Sequence, residues 1–197
     1  MIRIGIMGSI GSGKTFVAKL FKYPVFIADN EVRDIYKNSK VCFKRLKKKL
    51  PDHITTFPVK KSELINAINN DKKNLNIISS IVHPLVRKKM QNFIKKNKNG
   101  KIVVLDVPLL IENKLNKKKD VLIFVKSSKS KILARLRKRK AFNKQIFKSL
   151  KENQIVLSKK KKLANYIVDN NFPLNIMKKK INLLKQKIIY ERSHSRY

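Results

Sequence analysis

Four of the chain's five glycines fall within its first thirteen residues, at Gly5, Gly8, Gly11 and Gly13, and the fifth, Gly100, stands alone. Backbone freedom concentrated in one short stretch marks a loop with a demand that the rest of the fold does not share. The stretch Gly8-Ser9-Ile10-Gly11-Ser12-Gly13-Lys14-Thr15 meets every fixed position of the pattern G-x-x-x-x-G-K-[ST]. An apolar run at residues 2–7 precedes it and a helical pattern opens at Lys14. That is the strand–loop–helix setting the pattern requires.

The spacing has a chemical reason. Glycines at positive φ let successive backbone N–H groups turn inward around phosphate oxygens, and the helix that follows adds unpaired N–H groups and the positive end of its dipole. Gly8, Gly11, Ser12 and Gly13 are therefore expected to cradle the phosphates of a nucleoside triphosphate, with Phe16 adding its backbone N–H. Lys14 is expected to reach the β- and γ-phosphates, and the Thr15 hydroxyl to ligate the accompanying Mg²⁺.

The chain's 197 residues suit one domain with a sizeable core. A net charge of +37 would ordinarily point to nucleic acid. Here the lysines are spread along the whole chain, and asparagine and isoleucine are abundant too, which reads as a compositional bias. The runs at residues 47–49, 117–119 and 159–162 are expected to be solvated faces, with no specific nucleic-acid partner. No stretch of eighteen apolar residues exists, so no membrane span is expected. The single cysteine, Cys42, excludes an internal disulfide and a cysteine-based metal site, and is expected to pack as a small hydrophobe. A cytoplasmic monomer is the expectation.

Short β-branched runs alternate with helical stretches, which predicts an α/β fold with a parallel sheet. Strands are expected at residues 2–7, 25–27, 102–105, 121–125 and 166–168, the third and fourth continuous apolar runs of the kind covered on both faces. Helices are expected at 14–21, 30–38, 42–50, 61–68, 77–96, 129–139, 144–153 and 176–190. The long, mainly helical stretch between the second and third strands suggests a lobe for a second substrate.

Asp29 directly follows the second strand, where ligands of open parallel sheets bind. It can serve a hydroxyl as base or hold Mg²⁺ through water, or it can simply cap the next helix. Asp106 ends the third strand, as a second Mg²⁺ partner or as a cap. Arg135 and Arg139 lie one helical turn apart and can clamp a transferring phosphoryl group, or stand solvated. His83 lacks the partners of a triad or metal site, which favours a structural or substrate-orienting part.

Together these residues resemble the dephospho-CoA kinase family over nearly the whole chain. The segments that carry the resemblance are the loop, Ala28-Asp29 with Arg33, His83-Pro84-Leu85-Val86, the run Val107-Pro108-Leu109-Leu110-Ile111-Glu112-Asn113, Arg135 with Arg139, Gln154, and Val168-Asp169-Asn170. The resemblance implies a P-loop NTPase core of three αβα layers with a five-stranded parallel sheet, like nucleoside monophosphate kinases. It implies a single domain with a core at 1–40 and 100–197, a helical substrate lobe at about 41–99 and a lid at about 135–150. The implied reaction is ATP-dependent phosphorylation of the ribose 3′-hydroxyl of dephospho-CoA, giving coenzyme A and ADP, the last step of coenzyme A biosynthesis. By the same resemblance Lys14, Asp29 and Arg139 are catalytic, with Arg135 a lesser candidate beside Arg139. Asp29, Arg33, His83, Pro108, Leu109 and Glu112 serve the acceptor, and Asp169-Asn170 lies near adenine.

The chain departs from the family pattern at several places. Ile27 replaces the first Asp of D-A-D, Phe16 and Ser9 stand where Thr and Gly are usual, Lys140 takes a common Asp position, and Asn165 replaces the Asp of an Ala-Asp pair. None of these removes Lys14, Thr15 or Asp29. Two other readings are another small-molecule P-loop kinase, acting on a nucleoside or nucleotide, and a nucleic-acid-binding protein. The downstream segments argue against the first, and the glycine loop is unexplained by the second.

Overall fold

Continuous apolar runs put β3 (Ile102–Asp106) and β4 (Val121–Lys126) in the centre of the fold, with all but the last residue of β4 buried. They flank β1 (Ile2–Gly8) in a five-stranded sheet of order β2-β3-β1-β4-β5, where β2 is Val25–Ile27 and β5 is Tyr166–Asp169. The β1–β3, β1–β4 and β4–β5 pairs are parallel, with Ile4 opposite Val104 on one side and Val121 on the other. This computed structural model describes residues 1–137 and 156–194, so the expected helix at 144–153 and the greater part of the expected lid lie outside the described residues.

The helices of the described residues are α1 (Lys14–Leu20), α2 (Ala28–Asn38), α3 (Lys40–Lys49), α4 (Lys61–Asn70), α5 (Asn74–Lys96), α6 (Lys129–Arg137), α7 (Leu157–Lys162) and α8 (Leu174–His194). The chain divides into two compact units, one of residues 1–26 and 97–197 and one of residues 27–96. The second unit therefore takes in α2, whereas the sequence reading draws the lobe boundary near residue 41.

In the first unit, α1 and α8 cover one face of the sheet. Val17, Ala18 and Phe21 pack with Met177, Ile181 and Ile188 against Ile4, Ile6, Val104 and Ile123. The three α8 side chains are all but inaccessible, and burying each contributes about 1.5–3 kcal/mol. Spaced four and seven residues apart, they share one face of the helix. Asn165 pins the start of β5 to β4. Its backbone N–H donates to Leu122 O and its side-chain Oδ1 accepts from Leu122 N, both at 2.8 Å. Asn165 Oδ1 offers an acceptor of the kind an Asp side chain would also offer.

One expectation is corrected here. The lysine run at 159–162 is not uniformly solvated, because Lys160 is only 1% exposed and its Nζ lies 2.5 Å from Glu112 Oε1. The short helix α7 that carries it is missing from the sequence reading, whose apolar-period search has nothing to find in Leu157-Ser158-Lys159-Lys160-Lys161-Lys162. Removing one partner of such a buried pair typically costs about 3–5 kcal/mol, because the other charge stays behind unpaired. The runs at 47–49 and 117–119 are exposed, as expected.

In the second unit, Lys89 of α5 bridges Glu31 (3.0 Å) and Asp34 (2.7 Å) of α2. Cys42 is fully buried, and burial pushes its thiol up to about 11, against the opposing Arg45 charge. Glu63 organises the loop before α4. Its Oε1 accepts from Thr55 N (3.0 Å), Thr55 Oγ1 (2.9 Å) and Thr56 N (3.0 Å), and its Oε2 from Lys60 N (3.1 Å). Burial alone would raise this carboxyl, but the donors outweigh it and hold it at about 2, below its ordinary 4.5. A depressed carboxyl stabilises the fold above its unfolded value, and that contribution fades as pH falls toward its folded value. The gap in thermal midpoint between the wild type and Glu63→Gln is expected to be full at neutral pH and to narrow from pH 4.5 toward pH 2. Equal narrowing above pH 6, followed by differential scanning fluorimetry, would refute the assignment.

No helix among the described residues is long and apolar enough to cross a membrane.

Candidate active site

The loop between β1 and α1 sits where the sheet's connections diverge, since the chain leaves β1 toward β2 on one side and β4 toward β5 on the other. Ligands of open parallel sheets bind at such a point. Gly8, Gly11 and Gly13 have φ of 145°, 82° and 89°. Gly13 shows why the sequence needs glycine there. It is the N-cap of α1 in left-handed conformation, and a Cβ would fall on the Asn170 side-chain amide. Any L side chain would be strained at that φ and would also displace Asn170. The sequence reading's glycine argument thus holds, with packing added to conformation.

Turning the N–H groups of such a loop toward a ligand leaves its carbonyls facing the protein, where they need donors. Two distant segments provide them. Asn170, at the end of β5 and 2% exposed, donates from Nδ2 to Ser12 O at 2.9 Å. Arg135 of α6 donates from Nη1 to Ser12 O (3.1 Å), Gly11 O (3.3 Å) and Ser127 Oγ (3.0 Å), and from Nη2 to Asn170 O (3.1 Å). The sequence reading allows Arg135 a phosphoryl clamp and puts Asn170 near adenine. The structure engages both with the loop's carbonyls and with each other. Nothing in the spacing of residues 11, 135 and 170 signals this, because the contact is made by sheet topology. Arg139 and Gln154 lie outside the described residues.

Lys14 Nζ donates to Ser9 O (2.9 Å) and Gly8 O (3.3 Å), which lays the side chain over the loop. Thr15 Oγ1 donates to Asp106 Oδ2. This joins the first turn of α1 to the last residue of β3, and Asp106 is 4% exposed. A hydroxyl and a buried carboxylate side by side are hard oxygen donors of the type Mg²⁺ takes when it binds through one or two protein groups and substrate phosphates. Ser12 is completely buried and its Oγ has no hydrogen-bond partner among the described residues. An orphaned hydroxyl inside a phosphate-type loop fits a site completed by an oxyanion. Phe16 is 40% exposed, consistent with a residue that offers its backbone alone.

After β3 the chain closes a tight turn, with Leu110 N donating to Val107 O (3.2 Å), Asn113 N to Leu109 O (3.1 Å) and Lys114 N to Ile111 O (2.9 Å). Pro108 and Leu109 are partly exposed on it, while Leu110 is buried. Glu112, expected at the acceptor, has its Oε1 on Lys160.

In the second unit, Asp29 is exposed in the first turn of α2, which begins at Ala28, two residues before the predicted start. The N-cap residue is Ile27 and makes no side-chain capping bond, which removes the alternative of Asp29 as the cap. Arg33 folds back along the helix, with Nε 3.3 Å from Asp29 O and Nη2 3.0 Å from Asn30 Oδ1. His83 is half-buried in α5, and burial, with the Arg87 charge, holds its imidazole below the usual range. Among the described residues no group of three His, Cys, Asp or Glu side chains could hold a metal.

Comparison with known proteins bears on the family and the fold. The family model of dephospho-CoA kinase matches residues 2–175. The dephospho-CoA kinase of Bartonella quintana is 33% identical over 171 residues, covering 84% of this chain and 87% of the relative. That of Rickettsia bellii is 30% identical over 187 residues, covering 93% and 96%. Among solved structures, the protein TT1252 of Thermus thermophilus superimposes with a TM-score of 0.74 at 23% identity, over 94% of this chain and 97% of that one. The dephospho-CoA kinase of Campylobacter jejuni gives 0.65 at 18% identity, over 94% and 96%. These two likenesses, and that of a shikimate kinase from Acinetobacter baumannii at 0.50 and 12% identity, concern the fold and establish it as that of P-loop kinases. With the family model spanning most of its length, the chain belongs to the dephospho-CoA kinase family.

Proposed function

We propose that this chain performs its family's reaction, transfer of the ATP γ-phosphoryl group to the ribose 3′-hydroxyl of dephospho-CoA, with Lys14 and Asp29 as its two principal catalytic groups. The observation that carries the reading is the loop itself. It is a positive-φ turn at the carboxyl end of the central strand, with its carbonyls tied back by Arg135 and Asn170 and Lys14 laid across it.

The loop amides and the α1 N-terminus hold the triphosphate, and Lys14 moves from the carbonyls of Gly8 and Ser9 to the β- and γ-phosphates. Phosphoryl transfer asks for little covalent chemistry from the protein, so positioning and charge neutralisation carry most of the rate. Thr15 and Asp106 would hold Mg²⁺, which would offset the negative charge of the phosphates. Asp29 accepts a hydrogen bond from the 3′-hydroxyl and orients it for in-line attack. Arg139 adds charge to the transferring group. Arg33, His83 and the turn carrying Pro108 and Leu109 receive dephospho-CoA. The enzyme acts as a cytoplasmic monomer, and its lysine excess draws phosphate-rich substrates over long range.

The test is an acceptor panel with purified protein, ATP and magnesium. Turnover with dephospho-CoA is expected to exceed that with nucleosides, nucleoside monophosphates and shikimate by at least roughly 100-fold in kcat/KM, since a site built to hold polar groups leaves them unpaired with the wrong acceptor. Preference for any of the others would overturn it.

A further inference from the structure

Lys160 is a buried charge that the mechanism above leaves unused, and its partner belongs to the turn assigned to the acceptor. The turn runs from Val107 to Lys114 and has two anchors. The first is Leu110, 1% exposed, whose Cδ2 would lie 2.5 Å from a Cβ built on Gly5 of β1. Only glycine at that strand position lets the leucine sit so close to the sheet. The second is Glu112, whose Oε1 lies 2.5 Å from Lys160 Nζ, with the two side chains 10% and 2% exposed. Between the turn and the nucleotide loop there is a single step, because Val107 follows Asp106, which accepts from Thr15.

An apolar pair of the same volume would fill this space without the desolvation that two charges incur. What an ion pair adds is direction. A short charge-assisted bond fixes the distance and angle at which the turn leaves the sheet, and apolar contact does not. We propose that Lys160 is a positioning residue for the acceptor. Its ammonium group holds Glu112, and through Glu112 it sets the turn on which Pro108 and Leu109 are presented. Glu112 then acts as the turn's second anchor and not as a direct ligand of dephospho-CoA. The inference rests on the assignment of this turn to the acceptor made above.

The experiment is steady-state kinetics on the full chain, varying ATP and dephospho-CoA separately, for Lys160→Met, Glu112→Gln, the double variant Lys160→Met/Glu112→Met, and Leu109→Ala. Lys160→Met is expected to raise KM for dephospho-CoA roughly tenfold or more with KM for ATP within about twofold, since small displacements of a positioning element carry large penalties. Glu112→Gln, which keeps the shape but loses the charge, should shift the same constant in the same direction by less. The double variant removes both charges, so it should regain the wild-type thermal midpoint while its acceptor KM stays raised, and it stands in if Lys160→Met does not fold. A double variant with wild-type acceptor KM would reduce the pair to a structural contact and overturn the inference, as would a parallel rise in both KM values. A wild-type acceptor KM in Leu109→Ala would overturn the assignment of the turn, and the inference with it. A raised KM in Leu109→Ala beside wild-type values in the Lys160 and Glu112 variants would overturn the inference alone.

Discussion

Lys14→Ala is expected to lower kcat by about 10³-fold or more, the scale for losing a preorganised charge at a transferring phosphoryl group. The fold should not notice. Lys14 is the first residue of α1, its side chain lies outside the core, and its contacts to Ser9 O and Gly8 O are with carbonyls of a partly exposed loop. Surface changes of this type usually stay within about 0.5 kcal/mol. The loop itself keeps its shape through Arg135 and Asn170, which bind the carbonyls of Gly11 and Ser12 from other parts of the chain. The variant should therefore still bind ATP, more weakly, and unfold at the wild-type midpoint while turning over almost nothing. Calorimetric titration with ATP, a thermal melt and a coupled ADP assay would separate these quantities. Turnover within tenfold of wild type would remove Lys14 from the reaction.

The contrast between the loop and its supports explains what the sequence could and could not reveal. The loop is legible because its demands are local. Positive φ, a lysine and a hydroxyl must fall at fixed spacing on eight consecutive residues. The buried strands are legible for a similar reason, since Ile102-Val103-Val104-Leu105 and Val121-Leu122-Ile123-Phe124-Val125 need no partner to declare themselves. Helix α8 announces its packed face through period alone. Lys160 is illegible because its burial depends on Glu112, 48 residues away by subtraction of the two numbers and met only through the tertiary fold. In a chain with 49 basic and 12 acidic residues, one lysine among four in a row gives no sign of which will be paired. Arg135 is legible as a functional candidate, but composition and spacing give no sign that its guanidinium reaches the carbonyls of Gly11 and Ser12. The Thr15–Asp106 bond lies between these cases. Each residue was a candidate by its place at a strand or helix end, and the parallel pairing of β1 and β3 brings those ends together.

Asp29→Asn is the second large effect expected, a fall in kcat of about 100-fold, the usual scale for a general base. Asparagine keeps the size of the side chain and an oxygen acceptor, so an orienting hydrogen bond survives in part while the capacity to take a proton is lost. Stability should change little. Asp29 is exposed and does not cap α2, and a carboxylate in a first helical turn contributes about 0.3–1 kcal/mol through the dipole. Nearby carboxylates offer poor substitutes. The family's other acidic position is Ile27 here, while Glu31 and Asp34 are both committed to Lys89 at 3.0 Å and 2.7 Å. Glu31→Gln consequently serves as the control, expected to soften the α2–α5 bridge and leave kcat near wild type. If the two variants lose turnover equally, the effect belongs to the charge of α2 as a whole. If Asp29→Asn alone keeps wild-type kcat, the 3′-hydroxyl finds its orientation elsewhere. A 100-fold loss confined to Asp29→Asn, with KM for ATP unchanged, is what a single carboxylate acting on the attacking hydroxyl requires.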